Sequence, residues 1–483
     1  MTPTERLLAF AVAEHRLPGE VRADAERLLA DTLAVGAAGA SAPGADAVLA
    51  AARAWGQSDE ARLIGSASVR PELVEGRPSL ASVGRPSAGL GRTEEGGGSC
   101  AGGEHLPAPS AAFVNGFRIH CLEWDAVHEP AVVHALSVVT AALGAVIDRA
   151  GGCDPEEALV ALAVGVDVAS GLGVAATSPL TFFRPATAGC LGAALAVARI
   201  TGAPAADALS LAYSFASGTM QAHVEGSIAL PLQIANAARA AVMAADLAKA
   251  GLTGPHDVLE GPFGYLRLFD QGALTTYTDR IGERWLIREV STKPYPSGRA
   301  SHGVLGVLST VLPPAREHGI VAVEAYVPPL VARLVGRPFL PQMTPAYARL
   351  CLPLLAALML RDGQIDPRRF TPETFADPAV GALAARVTIR DDGNPDPNAL
   401  SPQRLRITMS DGTTREHAIQ ATLGAPDAPL SPEQAATKRD LARALAPDAD
   451  PRLFDDPLDW FCGRKVTQGA GLAPAHPVGQ DYR

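Results

Sequence analysis

From Glu20 to about Ala37 the apolar residues Val21, Leu28, Leu29, Leu33 and Val35 recur at near-helical spacing. Comparable patterns run through 132–149, 155–173, 186–200, 205–218 and 231–250. Pro and Gly sit at the joints, as in Gly151-Gly152, Gly202-Ala-Pro204 and Gly251-Leu-Thr-Gly254-Pro255, which stops one helix and starts the next. The first half is therefore predicted to be an assembly of hydrophobic helices. After about residue 285 the pattern changes to alternation, with Ile320, Ala322 and Glu324 set against Val321, Val323 and Ala325. The run Arg404 to Ser410 leads into Asp411-Gly412, a hairpin signal. The strands are predicted to end near 423, and Ser431-Pro-Glu-Gln restarts a helix with Ser as cap and Pro in the first turn.

The predicted architecture is mainly α. A discontinuous all-helical domain covers 1–285, a smaller α+β domain covers 286–427, and C-terminal helices at 428–483 rejoin the first domain. Residues about 66–106 break every period: Gly84-Arg-Pro-Ser87 and Gly96-Gly-Gly-Ser-Cys100 read as a flexible surface insertion. Such an insertion is tolerated because loop-closure entropy grows only logarithmically with length. The apolar tracts 158–166 and 352–360 stop short of the ~20 residues of a membrane span and are followed by Asp167 and Arg361, so they read as buried helices.

Composition changes the picture in three ways. With 483 residues, 47% hydrophobic and 19% charged, the chain is long and apolar enough for two cores and is not of the disordered class. Its net charge of -10 offers no general basic surface, which argues against nucleic acid or anionic membrane as partner and toward small molecules or protein. The six cysteines are dispersed without a C-x-x-C pair, and Met1-Thr-Pro-Thr-Glu-Arg lacks the basic start and apolar run of an export signal; the expectation is a cytoplasmic protein with reduced thiols.

Chemistry concentrates in residues 112–134, where His120, His128 and His134 stand among Glu123, Asp125 and Glu129. Imidazoles and carboxylates can exchange protons near neutral pH. The bland alternative is a buried polar cluster whose members satisfy one another. His128 and His134, six apart, do not share a helix face, so a loop bound by Pro130 is expected. A metal is the rival reading, though the H-E-x-x-H spacing is absent. Cys121 is a nucleophile candidate set against an ordinary buried thiol. A second group, Ser291-Thr-Lys293-Pro-Tyr295-Pro-Ser-Gly-Arg299-Ala-Ser-His302, can bind carboxylates through Lys and Arg and move protons through Lys, Tyr or His. Its bland alternative is a Pro-rich connection with solvated cations. Gly171-Leu-Gly173 lacks the remainder of a dinucleotide fingerprint and no phosphate loop is present, so no nucleotide cofactor is expected.

Several segments together resemble the MmgE/PrpD family of 2-methylcitrate dehydratases, cis-aconitate decarboxylases and iminodisuccinate epimerases. They are Ala111-Ala-Phe-Val-Asn-Gly116, Arg184-Pro-Ala-Thr-Ala-Gly189, Leu259-Glu-Gly-Pro-Phe-Gly264, Lys293-Pro-Tyr-Pro296, Val335-Gly-Arg-Pro338 and Tyr347-Ala-Arg349. Only 66–106 stands outside the resemblance. It implies that the α+β domain is a lid over a cleft, that the chemistry needs no metal or cofactor, and that the protein is a homodimer. The family's acidic stretch, of the type D-F-D-D-T followed by His, maps to Glu123-Trp-Asp125-Ala-Val and His134, and its K-P-Y-P lysine maps to Lys293. Five positions depart from the family pattern: Glu123 stands for the first Asp of the acidic stretch and Ala126 for its last Asp, Arg184 occupies a usual His, and Leu230 and Gln233 occupy a usual Lys and His.

The two residue groups and the resemblance together lead to the expectation of a metal-independent lyase that abstracts a proton α to a carboxylate of a small di- or tricarboxylic acid and eliminates water. Lys293, Arg299 and Arg184, with Tyr295, would hold carboxylates. His134 or His128, oriented by Asp125 or Glu123, would move the proton, with His302 in support. Because of Arg184, Leu230 and Gln233, epimerisation, decarboxylation and silent carboxylate binding stay open.

Overall fold

The computed structural model describes residues 1–66, 104–311, 319–396 and 398–463. Nearly all of the expected insertion at 66–106 lies outside the described residues. The chain is mainly helical. Its helical layer contains α1 (Gly19–Ala38), α2 (Ala108–His120), α3 (Ala135–Arg149), α4 (Pro155–Val174), α5 (Arg184–Thr201), the short α6 (Gln221–Glu225) and α7 (Ala229–Lys249). Observed bounds follow the periodicity within a few residues. The prediction of a helix from 132 starts too early, because 121–134 is a compact loop.

Helix α4 is buried on all sides from Ala158 to Gly173, which is why it shows no amphipathic stripe. By length and composition it could cross a membrane, yet it is a core element. Asp154 caps its start, accepting from the Glu156 and Glu157 amides. Asp167, which the sequence suggests as the polar end of an apolar tract, is itself buried mid-helix. It accepts from Tyr277 Oη at 2.8 Å and the Leu286 amide at 2.7 Å. Helices α4 and α5 cross at glycine: a Cβ on Gly192 would lie 2.3 Å from the Gly165 carbonyl oxygen, so only glycine permits this approach.

Beyond residue 285 the chain forms α8 (His302–Val311), β-strand Ile320–Val327, α9 (Pro329–Val335), α10 (Leu352–Asp362) and strands Val387–Asp391, Gln403–Met409 and Thr414–Ile419. The first of these strands pairs in parallel with Val387–Asp391 and antiparallel with Gln403–Met409, which in turn pairs antiparallel with Thr414–Ile419. The parallel pair needs a long crossover, and α9 and α10 lie within it. The predicted hairpin is present, with Gly412 at φ +83°. Finally α11 (Pro432–Leu445), closed by a Ser431–Gln434 capping box, packs back on α1.

Candidate active site

One small ladder positions the chemistry. Strands β1 (Val127–His128) and β2 (Val290–Ser291) pair antiparallel, with Val127 opposite Ser291 and His128 opposite Val290. The two residue groups singled out in the sequence are thereby clamped side by side, although Val127 and Ser291 lie 164 positions apart.

The first group leaves the end of α2 at His120 and turns tightly. His128 and Val133 exchange backbone hydrogen bonds of 2.9 and 3.2 Å around Pro130. Two residues other than glycine adopt left-handed backbone here, Glu123 at φ +54° and Val132 at φ +51°. Each such conformation costs about 1–3 kcal/mol and persists only where the surroundings enforce it. Both residues line the same cavity.

Asp125 is the hub. Its Oδ2 accepts from His120 Nδ1 at 2.9 Å and from Ser137 Oγ, and stands 3.0 Å from His134 Nδ1 without hydrogen-bond alignment. Lys293, wholly buried, donates to the Glu123 carbonyl oxygen at 3.0 Å and to Glu123 Oε2 at 3.3 Å, and lies 3.8 Å from Asp125 Oδ1. His120 Nε2 is buried without a hydrogen-bond partner, 3.5 Å from Glu123 Oε1. The His120 and His134 rings meet edge-on with centroids 4.9 Å apart.

These contacts drive the two imidazoles in opposite directions. Burial presses His120 toward neutrality, but Asp125 and Glu123 outweigh it and its pKa is raised. Burial also presses on His134; there Lys293 and His120 add to it, Asp125 does not compensate, and the pKa is lowered. Burial would raise both carboxyls. Instead Lys293, His120 and His134 bring Glu123 down to about 2, and the same three neighbours hold Asp125 well below its usual range.

His120, Glu123, His134, His223 and Arg299 supply the polar part of a cavity of about 70 Å³. Lys293 and Asp125 stand behind this wall. Arg299 reaches the cavity with its donors engaged: Nε and Nη2 on Glu129 at 2.9 and 2.7 Å, Nη1 on the Leu423 carbonyl at 2.7 Å.

The structure places four of the expected site residues elsewhere. His128 is fully buried, accepts the Ala131 amide on Nδ1 and turns Nε2 toward Glu289 at 3.6 Å, because its ladder pairing points it behind the loop. Arg184 forms a fork with Asp270 at 3.0 and 2.8 Å and donates to the Ala131 carbonyl at 2.8 Å. A guanidinium buried this deeply needs partners of its own, and these leave it as structural cement. Tyr295 donates to Ser309 Oγ at 3.2 Å. His302, fully buried, contacts Ser297 Oγ at 3.1 Å and stands 3.4 Å from Arg299 Nη1; burial first, then Arg299 and Lys293, keep it neutral, so it orients Arg299. Burial pushes the Cys121 thiol up to about 12, which removes it as a nucleophile.

Sequence reasoning misses two wall residues. His120 stands three residues ahead of Glu123, and its position there assigns it no role. His223 gives no signal: it is a lone His on the five-residue α6, and only the packing of α6 brings it to the cavity. Burial and then Arg337 lower His223 to about 4. Leu230 lines the cavity, while Gln233 is bonded to the Thr219 backbone at 2.6 and 3.2 Å.

His120, Asp125 and His134 offer ligand atoms within 4.8 Å of one another, close enough for a metal ion. The surroundings suit protons better. The Lys293 ammonium beside Asp125 repels a cation, and Ser137 and His120 already donate to the oxygen that would bind it.

Fold and site together define a mainly helical protein with a buried cluster of imidazoles, carboxylates and one lysine. Residues 87–277 match the MmgE/PrpD N-terminal domain and residues 295–452 the MmgE/PrpD C-terminal domain, and the chain belongs to the MmgE/PrpD family. The first match begins at 87, inside the segment 66–106 that the resemblance left out. Among curated proteins the chain is similar to the cis-aconitate decarboxylase of Homo sapiens, 29% identical over 351 residues, covering 68% of this chain and 71% of that protein. The Mus musculus cis-aconitate decarboxylase is 28% identical over 360 residues, covering 69% and 71%.

Proposed function

We propose that the protein is an enzyme of the lyase type that acts on a small carboxylic acid, removing a proton from the carbon α to a carboxylate and expelling water from the neighbouring carbon. The observation that carries this reading is the pair His134 and His120, joined through Asp125 and shifted in opposite directions. Titratable neighbours whose surroundings drive their pKa values apart are suited to base and acid roles.

With Asp125 against Nδ1, the proton of the neutral His134 ring belongs on Nδ1 and Nε2 keeps its lone pair. His134 Nε2 takes the α-proton. The C–H electron pair becomes the new C=C bond, the C–O bond breaks toward oxygen, and the His120 imidazolium donates a proton so that water leaves. His134 ends protonated and His120 neutral, and proton exchange with solvent restores both. Lys293 keeps Glu123 and Asp125 ionised, which in turn keeps His120 charged.

The named relatives favour a second reading, in which carbon dioxide leaves instead of water and His120 protonates the resulting carbanion. Proton NMR in deuterated water with a panel of carboxylic acids separates the cases. Loss of water supports dehydration, and loss of carbon dioxide supports the second reading. α-Hydrogen exchange alone indicates an epimerase, and no exchange with any acid overturns catalysis in favour of silent binding. The same reading takes the protein to be a homodimer without metal or cofactor, which draws on the family resemblance, and a cytoplasmic one, which draws on its dispersed cysteines; size-exclusion chromatography with light scattering tests the dimer.

A further inference from the structure

The turn that carries Glu123, Trp124 and Asp125 is held by three buried cations drawn from three distant parts of the chain. Arg349 Nη1 donates to the Cys121 carbonyl at 3.1 Å, Lys293 to the Glu123 carbonyl at 3.0 Å, and Lys438 on α11 to the Trp124 carbonyl at 3.2 Å. Two ammoniums thus fix consecutive peptide planes beside Glu123, whose left-handed backbone needs enforcement. The Trp124 carbonyl belongs to the planar unit that joins Trp124 to Asp125, so the group that fixes it also fixes where the Asp125 side chain starts.

Lys438 is itself anchored. Asp31 on α1 accepts from its Nζ at 2.6 and 2.9 Å, and the ammonium lies 5.4 Å from the centre of the Trp124 ring, whose Nε1 donates to the Pro294 carbonyl at 3.3 Å. Burial brings the Lys438 pKa below the usual 10.5; Asp31 and Asp125 oppose that fall and Lys293 adds to it. His120 is faced by Asp125 and Glu123, which raise it, by Lys293, which lowers it, and by the His134 ring. Lys438 also lines a second cavity, of about 590 Å³, between Asp24, Arg27 and Asp31 of α1 and Ala435, Arg439 and Ala442 of α11. Its ammonium can therefore be reached from a side that does not pass through the imidazoles.

We propose that Lys438 is a positioning residue: by holding the Trp124 peptide it keeps Asp125 against Nδ1 of His120. Its consequence for turnover rests on the acid–base reading of the site, whereas its effect on His120 does not. The sign of the response separates the possible roles. By charge alone, removing a nearby cation raises the His120 pKa, and losing a merely structural ion pair leaves it unmoved. Drift of Asp125 away from Nδ1 lowers it toward the ordinary 6.5.

The test is an NMR titration of His120 in the full-length, histidine-labelled protein without substrate, comparing the native chain with Lys438→Met. The His120 pKa is expected to fall in the variant; an unmoved or raised value overturns the proposal. Should the stranded Asp31 carboxylate prevent folding, the double variant Asp31→Asn/Lys438→Met removes both charges and is expected to show the same fall. Where the native protein turns over an acid, kcat of the variant is expected to drop about 10–10²-fold with KM changed less than about 3-fold. In Lys438→Ala, propylammonium entering through the second cavity is expected to restore the raised His120 pKa, and tetramethylammonium, which has no N–H to donate, is not. Restoration by neither, or equally by both, also overturns the proposal. A fall in the His120 pKa in a protein that turns over no acid leaves the positioning role standing and sinks the lyase reading; turnover by both native and Lys438→Met proteins with His120 unmoved does the reverse.

Discussion

Residues 120–134 and residues 291–302 are both rich in ionisable groups and both buried against the same cavity, yet they hold their charges differently. In the first, His120 and His134 contact one carboxylate through Nδ1 and have Nε2 left over. In the second, Lys293, Arg299 and His302 have nearly every polar atom committed to another buried group. A group can serve chemistry only with the atom it has not given to the fold. The first stretch is thus suited to proton transfer, and the second to fixing the charges around it.

Substitutions should split along that line. The largest effect is expected from His134→Gln, which removes the base while filling its space: turnover should drop about 10²–10⁴-fold with little change in unfolding midpoint. Equal turnover by His134→Gln and the native protein would end the assignment. Lys293→Met should act in the opposite way, because it strands Glu123 and Asp125 without their buried cation; a loss of about 3–5 kcal/mol in denaturant unfolding is expected. If the Lys293→Met variant is as stable as the native protein and only turnover falls, the ammonium acts on the substrate and the contrast between the two regions collapses.

The pH dependence sharpens the roles within the first region. His134, lowered, must be neutral to accept a proton, so activity falls as pH drops through a value below 6.5. His120, raised, must be protonated, so activity falls as pH rises through a value above 6.5. The expected profile is a bell spanning 6.5, and His120→Asn should lower turnover and remove the alkaline limb. Persistence of that limb would assign it to another group. Stability has its own window: Glu123, depressed from 4.5 to about 2, and Asp125, depressed below 3.8, contribute stability that is present above those ordinary values and lost as pH falls through the depressed ones. Glu123→Gln should flatten that acid limb in unfolding titrations.

The smallest effect concerns the loop itself. Val132→Gly relieves left-handed strain but loses an apolar side chain and gains unfolded-state freedom, so a net change within about 1 kcal/mol is expected. A much larger loss would mean that the Val132 side chain, not the Asp125 hub, holds the loop. As a control on the metal alternative, a chelator should leave turnover unchanged.

Much of the fold was legible because it rests on local rules. Helices α5 and α7 lie within two residues of their hydrophobic patterns, and the Asp411-Gly412 turn and Ser431 capping box follow from residue chemistry over a few positions. The site was legible only in part. Glu123, Asp125 and His134 stood out by density, but nothing in the sequence distinguishes Arg184, bonded to Asp270 86 positions away, from an arginine facing a substrate. His128 is equivalent to His134 by sequence, and it is the ladder with Val290 that turns it toward Glu289.

The sequence alone determined where helices and strands run and which stretch collects the proton-carrying side chains, because periodicity, capping and turn chemistry act over neighbouring residues. Tertiary structure decided which imidazole is charged and which neutral, which cations are already paired, and that His223 and Leu230 complete the cavity. Those outcomes depend on burial and on distances of a few ångströms between groups such as Glu123 and Lys293, 170 positions apart, and Coulombic and desolvation energies at that range are set by packing rather than by order along the chain.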